Sequence, residues 1–395
     1  MSRDVDRDGS SVGGGSCLRP ETALTWKELA ESPYSALEKL RAVTPVAYAR
    51  HLDRWLVTSR DLVLEVLRDP GRFTTTDDES PIQRTLGQQM LSADGEDQVR
   101  HRRPFTAGFR LRSLAESVAP LIEARAESLL DEFQAGGGPL NPVAAGLAVG
   151  TVVDVLGLVV DNLALVRSWY DDLAAALADK DPKGFLAVDA VRAVRDAVGS
   201  TLAGAPRGIL AALAVDADAD LTPEEIGSNV LLILFGGIET TESMILNAVW
   251  CVAHHEIDGA RLRGDDRLLA NAIEESLRWE PAVQTLTRFA VDDTTLEGVE
   301  LQAGEIVECM MGAANRDPSY FQDPDAFIVD RPNAKDHLTF GYGRHLCLGL
   351  HLARLEAHTF LRLLLGRRAQ LRVNGPHSRP PFGHEFRRPP RLVIE

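Results

Sequence analysis

Positive charge and cysteine are both in short supply. The 395 residues carry 42 Lys and Arg against 58 Asp and Glu, a formal net charge of −16. A balance this acidic argues against nucleic acid as a partner. The four cysteines, Cys17, Cys251, Cys309 and Cys347, show no Cys-x-x-Cys spacing. That argues against a zinc site or a disulfide framework and fits a reducing cytoplasm. No signal-peptide pattern is visible, and no long apolar run is free of charge. The expectation is a cytoplasmic protein without a membrane anchor.

Hydrophobic residues make up 45 % of the chain, enough for a large core. Residues 1–24 are Gly-, Ser- and Asp-rich at their start and read as a disordered segment, with order beginning near Thr25. Val46 to His51 and Trp55 to Thr58 read as short strands about a turn. Ser59 opens a helix that Pro70-Gly71 stops. Thr74 to Gly95 is polar and weakly periodic, a long loop of the kind that often serves function. From Leu114 to about Val215 the spacing is helical, broken at Gly136-Gly-Gly-Pro139 and between Asp179 and Gly184. Thr222-Pro223-Glu224-Glu225 starts a helix with a cap, a proline in the first turn and acids at the positive end of the dipole. That helix should reach about His254.

Two features inside and after this helix point to chemistry. Gly236 and Gly237 lie mid-helix, where each costs about 1 kcal/mol relative to alanine. Glu239-Thr240 follows at once in an apolar run, where a carboxylate needs a reason. Further on, Phe340-Gly341-Tyr-Gly343-Arg-His345-Leu-Cys347-Leu-Gly349 brings a cysteine on a glycine-rich loop to a helix start. A thiolate is favoured there.

The loop matches in full the Phe-Gly-x-Gly-x-x-x-Cys-x-Gly pattern, and the chain resembles the cytochrome P450 family over about residues 25–395. The order of further motifs agrees: Gly-x-Glu-Thr, Glu275-x-x-Arg278, Arg288-x-Ala, Asn315-Arg-Asp-Pro, then the Cys loop. The resemblance implies a mainly α fold with small β-sheets, one two-lobed catalytic domain at 25–395, and haem b between a long distal helix and a proximal Cys-loop helix. Cys347 becomes the ligand to haem iron, pushing electron density onto it. Phe340, Gly341 and Gly349 shape the loop around the cofactor.

Other roles follow from the same resemblance. Gly236 and Gly237 make room for O2. Thr240 offers a hydroxyl and Glu239 a proton relay, as proton delivery to reduced oxygen requires. Arg288, His345 and His337 hold the haem propionates. Arg102 takes the Arg position of the family's His-x-x-x-Arg, and Gln98 stands where the His is usual. Glu275, Arg278 and Arg331 form a structural clamp. The pocket draws on Thr74 to Met90, Phe235, Val283, and a Gln284-Thr285 pair that hints at a polar group on the substrate.

The implied reaction is insertion of one oxygen atom from O2 into a small organic substrate, in a tailoring step of bacterial secondary metabolism. An oxidative-coupling variant is a related outcome. Electrons come from NAD(P)H through a separate ferredoxin reductase and ferredoxin, docked at the basic run Arg100 to Arg112 of a monomer. A peroxygenase using H2O2, or a haem-thiolate sensor or electron carrier, would need the Cys loop but not Glu239-Thr240.

Overall fold

The computed structural model describes residues 19–77, 80–178, 185–216 and 220–395. The expected disorder of residues 1–24 falls largely outside these, as does the break at 179–184. Order begins earlier than Thr25. β1 (Glu21–Thr22) pairs in parallel with β2 (Val46–Ala49) through Glu21–Tyr48 and Thr22–Ala49. β2 turns at Asp53 (φ 53°) into β3 (Arg54–Val57), with which it is antiparallel.

β4 (Phe73–Thr74), β5 (Thr285–Ala290) and β8 (Ile306–Met310) join these three strands in one sheet of order β1-β2-β3-β8-β5-β4. β6 (Thr294–Leu296) and β7 (Val299–Leu301) form a separate hairpin. β8 lies parallel to β3 and antiparallel to β5, so Val307 faces both Trp55 and Arg288. Chain segments some 250 residues apart thus share one sheet, and its apolar face is closed by Val57, Val63, Phe73 and Cys309.

The rest is helical, around a single large cluster of buried apolar side chains. At its centre runs the helix Pro223–His254. Its start is a capping box: Thr222 accepts from the Glu225 N–H, and the Glu225 carboxylate accepts from the Thr222 N–H at 2.8 Å. The helix is long and apolar enough to cross a membrane, but here it is the core helix. It packs on the helices Asn141–Leu156, Asp266–Trp279 and Leu350–Arg367.

The stretch Thr74 to Gly95 differs from the expected loop. Ser80 caps a helix at Pro81–Leu86, whose Leu86 is fully buried. A six-residue helix is too short to show a period in the sequence.

Candidate active site

The Cys loop is shaped by backbone geometry that glycine allows. Gly341 and Gly343 have φ of +73° and +74°, a region costly for other residues. A Cβ on Gly343 would stand 2.9 Å from the Leu67 carbonyl oxygen. The Cys347 N–H donates to the Phe340 carbonyl at 2.9 Å, which closes the loop. Gly349 then caps the helix Leu350–Arg367. Cys347 is exposed yet set deep among protein atoms, so desolvation pushes its thiol up. The Gly349 N–H and the Arg102 and Arg354 guanidiniums pull it back.

Behind the loop lies a buried charge cluster. Arg278 donates to both Glu275 oxygens at 2.7 Å, and Arg331 Nε to both at 3.0 Å. The Ile328 N–H adds a fifth hydrogen bond at 2.9 Å. The remaining Arg278 donors hold the carbonyls of Asn315, Pro324 and Ala326. Asn315 reaches the loop by donating to Thr339 Oγ1 and accepting from the Leu338 N–H. The three charged residues therefore tie the segment before the Cys loop to the Asp266–Trp279 helix.

On the other side of the site is the central helix. Gly236 is exposed in its middle, and a Cβ there would meet nothing within 4 Å. Gly237 does not share this role. Its Cβ would lie 3.1 Å from Val152 Cγ2, so it serves close packing on the neighbouring helix. The Thr240 hydroxyl donates back to the Gly236 carbonyl, a local bond common for hydroxyls inside helices.

Glu239 is half-buried and held from two sides. Arg388 Nη1 donates to it at 3.0 Å, and the Tyr170 hydroxyl donates to its other oxygen. Burial and then the Glu239 charge push the Tyr170 phenol up, which keeps it a donor. Arg388 and Arg167 also reach Glu242, whose carboxyl burial nevertheless pushes up. The Tyr170 ring stacks on Phe235, and Phe235 meets Phe386 edge-on, at centroid distances of 5.9 and 6.1 Å. Val283 pairs with Phe386 through a backbone bridge, so an apolar cluster of aromatic rings gathers at Phe235, the residue next to Gly236.

Several expected contacts fall elsewhere. His337 does not face the Arg288 cavity; its Nε2 lies 3.1 Å from Glu274 Oε2. Gln98 is buried, and its amide donates to the Arg344 carbonyl of the Cys loop at 3.2 Å. Arg102 donates to the Leu346 carbonyl at 2.6 Å, bracing the same loop. Gln284 is buried and spends its amide on Tyr34 Oη and the Pro281 carbonyl, which leaves no donor for a substrate. Thr285 is buried beside it in β5. Arg100 is paired with Glu225 and Asp97, so it adds no free charge to a docking patch.

Arg288 and His345 do come together. They line a cavity of about 200 Å3 with Arg68, Phe73 and Asp94. His345 Nε2 is 2.8 Å from Asp94 Oδ1, a partner 251 positions away that no motif announces. Arg288 is 5 % exposed, donates to the Thr287 carbonyl, and has no ion pair among the described residues. A buried cation of this kind calls for an anion. A haem propionate fits that need.

Comparison with known proteins agrees with this geometry. A family model described as cytochrome P450 matches residues 206–368. The chain is 31 % identical over 367 residues to the biotin biosynthesis cytochrome P450 of Bacillus subtilis, covering 88 % of this chain and 91 % of that one. It is 32 % identical to the cytochrome P450 monooxygenase PikC of Streptomyces venezuelae, covering 86 % and 85 %. Among solved structures, P450BioI in complex with an acyl carrier protein ligated to hexadec-9Z-enoic acid superposes with a TM-score of 0.84. That match is 30 % identical and covers 94 % of this chain and 100 % of the other.

The fold and the Cys loop define a haem-thiolate oxidoreductase. The chain belongs to the cytochrome P450 family and is a bacterial-type monooxygenase. Members use haem and O2, act on small molecules, and take electrons from redox partners.

Proposed function

We propose that this chain inserts one oxygen atom from O2 into a small, largely apolar substrate in a bacterial tailoring pathway. Electrons come from NAD(P)H through a separate ferredoxin reductase and ferredoxin. The balance is RH + O2 + NAD(P)H + H+ giving ROH, H2O and NAD(P)+. The enzyme works as a cytoplasmic monomer, with residues 25–395 as one catalytic unit.

The observation that carries this reading is an acid and a hydroxyl at neighbouring positions, Glu239 and Thr240, one turn past the opening at Gly236. Cys347 would ligate the haem iron, and Arg288 and His345 would face the propionates. When bound, haem supplies O2 activation and oxidation of the substrate. The chain's own residues do the rest. Thr240 and Glu239 manage protons at the distal face. Phe235, Val283, Tyr170 and Phe386 exclude water and orient an apolar substrate. The relative named for biotin biosynthesis supports a role in a biosynthetic pathway.

The test compares product formed with NADH, reductase and ferredoxin against product formed with H2O2 alone. Turnover only in the first supports the reading. Efficient turnover with H2O2 alone makes the enzyme a peroxygenase, and haem binding with no turnover in either makes it a sensor or carrier.

A further inference from the structure

We propose that Glu274, His337 and Arg354 form a second charged clamp, on the Cys-loop side, that positions Phe340 and sets the field at the Cys347 sulfur. The proposal rests on Cys347 being the haem ligand.

Glu274 and Glu275 are neighbours on the Asp266–Trp279 helix and so point about 100° apart. Glu275 serves the segment that precedes the loop. Glu274 serves the loop itself and the helix that follows it. Arg354 Nε and Nη2 donate to its two oxygens at 2.6 and 2.8 Å, a bidentate pair. His337 adds a third contact at 3.1 Å.

The histidine's form follows from its bonds. Its Nδ1 accepts from the Thr339 N–H at 3.2 Å, so the proton sits on Nε2 and is donated to Glu274. Burial holds His337 below its usual range in spite of the carboxylate. The imidazole is therefore neutral, and the cluster contains one anion and one cation. Burial pushes the Glu274 carboxyl up, but the Arg354 and His337 bonds outweigh it and hold it at about 2.

Both partners of Glu274 touch Phe340. The Arg354 guanidinium lies 4.5 Å from the ring centroid, and the His337 ring 5.7 Å from it. The Phe340 carbonyl in turn receives the Cys347 N–H. Arg354 stands two turns past Cys347 on the helix that leaves the loop, and it lies over the ring of the residue whose carbonyl holds the Cys347 N–H, so its charge sits close to the Cys loop. Glu274 thus fixes Arg354 in place and offsets part of its charge. Neither role belongs to the Glu275 cluster.

The two roles predict shifts of opposite sign. Glu274→Gln leaves the Arg354 charge uncompensated near the thiolate and favours the more negative, ferrous state. Arg354→Met removes the cation and favours the ferric state. In each case the ferrous-to-ferric ratio at a fixed poise should change several-fold. The experiment is a spectroelectrochemical titration of the haem-loaded protein, with the reduced-CO spectrum recorded for every variant. Arg354→Lys keeps the charge and should stay close to wild type. The double variant Glu274→Gln/Arg354→Met restores neutrality and should return toward it.

Shifts of the same sign in both single variants, or none, overturn the proposal, whatever happens to folding. Should Arg354→Met fail to load haem, Glu274→Gln against Arg354→Lys still decides it: equal potentials count against. A wild-type protein without the thiolate-type reduced-CO band refutes the assignment of Cys347 itself, which is a separate outcome.

Discussion

Replacing Glu275 by alanine tests whether the buried charge cluster is structural. The substitution breaks five hydrogen bonds at once: two from Arg278, two from Arg331 Nε, and one from the Ile328 N–H. Arg278 is fully buried and Arg331 is 3 % exposed, so water cannot replace the carboxylate. Desolvation pulls the Arg278 guanidinium below its usual range even with the carboxylate opposing it, so removing Glu275 leaves burial acting with less to oppose it. Breaking a buried pair on one side costs about 3–5 kcal/mol. The upper end applies here, because two cations are orphaned. Against a typical stability of roughly 5–15 kcal/mol, that is a large share. The carbonyl bonds of both arginines limit the damage to the 315–331 segment and the Cys loop it supports. The expected result is a lower denaturant midpoint and little bound haem, read by helix signal and haem absorbance in parallel. Glu116→Ala, at the exposed Arg112–Glu116 pair, is the control and should change neither. Glu275→Ala protein that keeps full haem and unfolds within about 1 kcal/mol of wild type would refute the reasoning.

Three further outcomes are expected. Cys347→Ala should lose the thiolate-type reduced-CO Soret band, while Cys251→Ala and Cys309→Ala, both at buried positions, should retain it. Thr240→Ala should bind haem and substrate and consume NADH but release H2O2, with coupling down roughly tenfold or more; a stoichiometry of NADH, H2O2 and product checks it. Asp94 carries a pH dependence: burial pushes its carboxyl up, but bonds from His345, Thr74 and the Thr75 N–H hold it at about 2. Its stabilisation is present above the unfolded value near 3.8 and is lost as pH falls toward 2, so Asp94→Asn should flatten the acid limb of a stability–pH curve over that window.

Local signals carried much of the site into the sequence, and contacts closed by the fold did not. The capping box at Thr222 and the Cys loop are each written within a dozen residues, so spacing alone locates them. Which way a side chain points from such a motif is another matter. His337 sits three residues before Phe340, where the resemblance puts a propionate partner, yet its partner Glu274 lies 63 positions away. Gln284 looked like a pocket residue until Tyr34, 250 positions away, took its amide. Arg388 reaches Glu239 across 149 positions, from a C-terminal stretch with no periodicity to read. Gly237 is the subtler case. The penalty of a mid-helix glycine pair is visible in sequence, but only the Val152 contact separates a glycine kept for packing from one beside open space.

The two sides of the site hold their carboxylates with different firmness, and the difference suits what each must do. Glu275 is fully buried between two buried arginines. Loosening it costs several kcal/mol, so the segment that supports the Cys loop stays put. The Glu239–Arg388 pair is 23 % exposed on each side. A pair that wet contributes on the order of 1 kcal/mol or less. The ion pair therefore holds Glu239 only loosely, which suits the proton role proposed for it. Its holders come from the Leu163–Leu177 helix and from the C-terminal segment that also carries Phe386. Any substrate that presses on Phe235 or Phe386 pushes on the same elements that set the position of the acid. In the proposed reading the substrate wall and the acid share these elements on the side where motion costs little, while the charge cluster behind the Cys loop is built not to move.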